Sequence, residues 1–191
     1  LSFAAVKSLL DDLPKEQRAL LDDIVPNQIS FSGIQRVLQN LLSEGVSIRD
    51  LPTILEGIAE ATAVKSDLVT ITEHVRSRLG RQLCFANADE TGELPVITLA
   101  PAWEQAFANA ILGQGADRQL ALEPSKLHAF ANEVKQAFDK AAQQGMTPVL
   151  LTSAGIRPFV QSLIDRFRPK TPVMSQNEIH PKARLRAAGT V

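Results

Sequence analysis

The chain has 191 residues, room for one domain or two small ones, and 45% of them are hydrophobic, which excludes a disordered chain and allows a buried core. No run of eighteen apolar residues occurs, so nothing in it reads as a membrane span, and Leu1 to Leu13 lacks the basic lead of a signal peptide. A net charge of −1 argues against a general nucleic-acid binder, and the single cysteine, Cys84, has no internal disulfide partner, as suits a reducing compartment. The charge is unevenly placed. Residues 157–191 hold seven cations against Asp165 and Glu178, a balance of +5 that leaves −6 for residues 1–156. Such a basic end reads as a solvated face or as a surface for an acidic partner or a neighbouring copy.

Phe3, Val6, Leu9, Leu10 and Leu13 give residues 2–13 a short helical face that ends at Pro14. A second helix is predicted from Pro14 to Val25, with Pro14 in its first turn, and Pro26-Asn27 breaks it. Ile34, Val37, Leu38, Leu41 and Leu42 then fall on one face of a helix, with Ser32 and Gln35 as a capping box and Gly45 as its stop. A short turn leads to a helix carrying Leu51, Ile54, Leu55 and Ile58, capped by Asp50 with Pro52 in its first turn. Ser66 or Asp67 opens another, with Leu68, Ile71, Val75 and Leu79 on one side.

After Cys84 the character changes. Asn87 to Glu93 is polar and acidic and reads as an exposed loop. Val96 to Leu99, Pro148 to Leu151 and Val173-Met174 are short strand candidates, and residues 183–190 a last one with Ala183, Leu185 and Ala187 facing one way and Arg184 and Arg186 the other. Helices separate them: one opened by Pro101 and carrying Trp103 and Phe107, one capped by Ser125 and carrying Phe130, Val134 and Phe138, and one over 155–167 with Ile156, Phe159, Val160, Leu163, Ile164 and Phe167. The fold class is therefore α+β: an all-helical subdomain followed by a small α/β subdomain with a mixed sheet flanked by helices. The divisions are residues 1–26, 27–83 and 84–191, the first being the helical end of whatever precedes it.

No metal-ligand spacing joins His74, His128 and His180, and neither a Walker sequence nor a G-x-G-x-x-G occurs, so no metal or cofactor is expected. The turn Thr152-Ser153-Ala154-Gly155 is the one place where a strand-to-helix serine invites comparison with a nucleophile elbow. Leu151 stands where that motif needs its first glycine. Capping of the following helix by Thr152 or Ser153 is the simpler reading, and a small hydrolase-like or nucleotide-binding enzyme is the alternative it competes with. Cys84 is expected to be buried beside Leu83 and Phe85. Arg49 and Asp50, at the turn between the central helices, fit either a contact point for a partner or a cap with a local ion pair.

VLQNLL, Val46, Ile48 to Leu51 and Thr53 to Glu56 resemble the FlhA/LcrD family of type III export-gate proteins. Further matches follow in order: Leu79-Gly80-Arg81, Leu94 to Leu99, Pro148 to Leu151 with Ile156-Arg157-Pro158, and Val173 to Ile179, with Met174 where leucine is usual. Asn177-Glu178-Ile179 leans to the flagellar branch. The resemblance implies the cytoplasmic part of a bacterial inner-membrane protein whose membrane helices lie upstream, assembled as a ring of nine copies. It would receive export substrates, their chaperones and parts of the ATPase complex, with no nucleic-acid partner and no catalysis. The chain would carry the end of the first of four subdomains, then the third and fourth, while the main chaperone cleft involves the first two. Because copies meet through the third, Arg36, Gln39, Asn40, Arg49 and Asp50 become candidates for a subunit or partner interface.

Overall fold

The computed structural model describes all 191 residues, which divide into two compact units, Leu1–Leu79 and Gly80–Val191. No helix is long and apolar enough to cross a membrane.

The first unit holds five helices: α1 (Phe3–Asp11), α2 (Lys15–Ile24), α3 (Phe31–Ser43), α4 (Leu51–Thr62) and α5 (Leu68–Arg78). Residues 1–26 supply α1 and α2, which pack on α3 and α4 respectively. Ile34, Val37, Leu38 and Leu41 of α3 and Ile54, Leu55 and Ile58 of α4 are fully buried, so the expected apolar faces meet. Leu42, at the margin of its face, remains 42% exposed. The cap of α3 is Ser30, whose hydroxyl accepts from the Gly33 N–H at 3.0 Å, rather than Ser32, which lies within the first turn. Gly45, with φ +74°, ends α3: the Gly45 N–H reaches the Leu42 carbonyl and the Val46 N–H the Leu41 carbonyl, the double bond of a Schellman stop. Asp50 and Asp67 cap α4 and α5 through the Thr53 and Thr70 N–H groups. Ion pairs tie α5 to its neighbours, Arg78 to Glu56 and Glu60 at 3.0 and 3.1 Å and the 3%-exposed Arg76 to Glu44 at 2.7 Å, and a His74–Glu60 hydrogen bond at 2.8 Å joins them.

The second unit opens with a helix that periodicity does not resolve, α6 (Gly80–Asn87). The strands β1 (Glu93–Thr98), β4 (Val149–Thr152), β5 (Val173–Ser175) and β6 (Arg184–Thr190) form one sheet in the order β5-β4-β1-β6, every pair parallel. The antiparallel pairing belongs to a separate ribbon, β2 (Ile111–Leu112) with β3 (Gln119–Leu120). Three helices flank the sheet: α7 (Pro101–Ala110) and α8 (Pro124–Gln143), both between β1 and β4, and α9 (Arg157–Phe167) between β4 and β5. This is the expected α+β arrangement, with the two strand senses divided between sheet and ribbon. Ile97, Leu150 and Val173 of the sheet pack with Phe107, Phe130, Val134, Phe138, Val160 and Ile164. The Phe107 and Phe130 rings meet edge-on at 4.8 Å.

One sequence expectation fails here for a local reason. Pro124 takes the first position of α8 with Glu123 at its cap, so Ser125 lies inside the helix. In β6, Val96 pairs with Ala187 but Ile97 with Gly189, so Ala188 is an inserted bulge residue. Arg184 and Arg186 pair with Glu93 and Pro95, and Leu185 and Ala187 with Leu94 and Val96, so the expected alternation holds up to the bulge, with Leu185 46% exposed and Ala188 in the core at 9%.

Candidate functional site

The five candidate residues of the helical unit divide by what their side chains already hold. On α3, the Gln39 amide donates to the Leu1 carbonyl at 3.0 Å, as Gln35 does, and so ties the chain's start to this helix. The Asn40 amide donates to the Thr72 hydroxyl of α5 at 3.4 Å. Asp50 accepts from the Thr53 N–H at 3.3 Å and from its hydroxyl at 2.7 Å, the cap that the residues alone allowed. Arg36 and Arg49 are exposed, and neither guanidinium forms an ion pair within the chain. The local Arg49–Asp50 pair entertained from the sequence does not form. The free charge therefore concentrates on two of the five positions.

The Thr152–Gly155 turn leaves the carboxyl end of β4, where open parallel sheets commonly place ligands. A cleft of about 550 Å³ lies there between Thr98, Leu99, Glu104 and Ser153. The hydroxyls are used differently from the expected cap. Ile156 is the cap residue of α9, with no side-chain bond to the helix. Ser153 donates its N–H to one oxygen of Glu104 at 2.9 Å and its hydroxyl to the other at 2.6 Å, while the Thr152 hydroxyl donates to the Ser153 carbonyl. Glu104, in the first turn of α7, thus clasps the turn from the side. Sequence reasoning did not single it out; its only signal is a carboxylate three residues after the helix-opening Pro101.

The residues that carry the family resemblance in the second unit are joined physically. Glu178 and Arg157 are each 1% exposed and approach at 3.7 Å. Arg157 also donates to the Val173 carbonyl at 3.0 Å. Glu178 accepts the Ser175 N–H at 3.1 Å within a reciprocal capping box. Gly80 lies so close to this turn that a Cβ would sit 2.7 Å from the Glu178 carbonyl oxygen, and Cys84, buried as expected, takes the His180 N–H at 3.4 Å on its sulfur. Phe85 does not join Cys84 in burial; it is 85% exposed.

The polar side chains described in both units mostly hold hydrogen bonds or ion pairs within the chain. The chain belongs to the FHIPEP family, whose model matches residues 1–184. It is 54% identical over its whole length to the flagellar biosynthesis protein FlhA of Caulobacter vibrioides, of which it covers 27%. The chain accordingly spans about a quarter of the length of the curated relatives it matches. Its fold matches the Shigella flexneri MxiA protein with a TM-score of 0.88 at 27% identity, over 100% of this chain and 62% of that one. Nonameric SctV-C of EPEC matches at 0.85 and 26%, over 100% and 57%. The Chlamydia pneumoniae CdsV protein, solved in complex with CdsO, matches at 0.84 and 27%, over 99% and 55%.

Proposed function

We propose that this chain is a ring-assembly and docking part of a flagellar type III protein export gate, on the cytoplasmic side of a bacterial inner-membrane protein, and that it works without chemistry of its own. The observation that carries this reading is the 54% identity to a flagellar FlhA over every residue of the chain. The likeness to a nonameric neighbour supports other copies of the chain as first partners, and the CdsV–CdsO complex supports a further protein partner, which we place among the export ATPase-complex proteins. Chaperone–substrate complexes complete the proposed set. On this reading residues 1–26 end a preceding subdomain, while 27–83 and 84–191 act as separate subdomains.

Within the ring, Arg36 and Arg49 are the proposed contacts to a neighbouring copy, being exposed cations without an internal partner. Gln39, Asn40 and Asp50 support that surface through the bonds they make inside it. In a flagellated host, Arg36→Glu combined with Arg49→Glu in the full-length protein is expected to abolish motility and the secretion of flagellar subunits at unchanged protein level. Retained export with both charges reversed would remove these residues from the interface.

A further inference from the structure

Phe85 is the most exposed large apolar side chain of the molecule, and its surroundings give that exposure a direction. It projects from α6 beside a groove of about 680 Å³ lined by Arg81, Cys84, Phe85, Leu94, Lys182 and Arg184. Leu94 of β1 pairs in register with Leu185 of β6, so both emerge on the same face of the sheet, the one α6 covers at Leu94 and leaves open at Leu185. β6 is an edge strand: its one partner is β1, and its other side offers unpaired backbone groups. Along that edge and at the mouth of the groove stand Lys182, Arg184, Arg186 and Arg81, all exposed. Of the two acids lining the groove, Asp89 is engaged by the N–H groups of Thr91 and Glu93, the Thr91 hydroxyl and Arg186, leaving Glu90 against the cations.

We propose that the Phe85 groove and the free edge of β6 form a docking site for an acidic, extended segment of a partner protein, added to the sheet as a fifth strand. Backbone pairing supplies the register, Phe85 and Leu185 receive an apolar side chain, and carboxylates meet Arg81 and Lys182. A second copy of this chain is the poorer occupant, because two β6 edges brought together would oppose like cations at Lys182, Arg184 and Arg186.

The test uses a fluorescein-labelled peptide, Glu-Leu-Glu-Val-Glu-Leu-Glu, its lysine counterpart, and a version with proline at the central position. The acidic peptide is expected to bind the 191-residue chain saturably, with new exchange protection on β6 amides, and the other two are not. Phe85→Ala and Lys182→Glu, both at exposed positions that leave the fold intact by circular dichroism, should each weaken binding at least about tenfold. Absence of saturable binding, equal binding of the proline or lysine peptide, or unchanged affinity in both variants would overturn the proposal. So would β6 protection that grows with chain concentration when no peptide is present. Arg36→Glu with Arg49→Glu should leave peptide binding unchanged, which separates this site from the proposed ring contact.

Discussion

Glu178 and Arg157 show how a short sequence box becomes a physical constraint. Each side chain is almost completely buried, so removing one leaves the other as an uncompensated charge in the interior. Glu178→Ala is expected to destabilise the second unit by roughly 3–5 kcal/mol in urea denaturation. Glu178→Gln, which can still accept the Ser175 N–H, should cost less. Equal losses in the two variants would mean that the cap contributes nothing beyond the charge. Asp89 offers a pH-dependent counterpart. The Thr91 hydroxyl above all, opposed by burial and helped by the N–H groups of Glu93 and Thr91 and the Arg186 charge, holds its carboxyl below the ordinary value of 3.8. A carboxylate with a lowered folded pKa stabilises the folded state above its unfolded pKa, and the effect is lost as pH falls through the folded value. The Thr91 and Glu93 amide resonances should therefore stay constant above about pH 5 and move together in a single step below 3.8, and Asp89→Asn should abolish that step.

At the scale of elements, the turn between α3 and α4 rests on two end signals, the Gly45 stop and the Asp50 cap. Asp50→Ala should cost about 1 kcal/mol in thermal or denaturant unfolding of the helical unit. A loss near zero would show that the Thr53 bonds are replaced by water without penalty. These signals are local, which is why the sequence alone places α3, α4, α5, β1, β4, β5 and α9 close to where they form. The misses have causes that periodicity does not carry. The start of α6 at Gly80 packs close against the Glu178 carbonyl, and residues so distant in sequence give periodicity nothing to detect. The two-residue strands of the ribbon are too short for any alternation to register. The bulge at Ala188 offsets the end of β6 by one residue, which the alternation over residues 183–187 does not announce. Ser153 looks like a cap until Glu104 from another helix claims it. At the candidate interface, composition separates polar from apolar positions, but only the packed chain shows that Gln39, Asn40 and Asp50 are engaged and that Arg36 and Arg49 are free.

The whole molecule presents two kinds of surface, one in each unit. In Leu1–Leu79 it is a set of exposed cations on a well-packed helical scaffold, and in Gly80–Val191 a basic sheet edge beside an exposed aromatic ring. The most direct test of the assembly claim is the mass of the 191-residue chain against its concentration, by sedimentation or native mass spectrometry. The account predicts that mass rises with concentration toward a defined oligomer and that Arg36→Glu with Arg49→Glu returns the chain to monomer without loss of fold. A chain that stays monomeric at high concentration, or that associates equally well with both charges reversed, would contradict it.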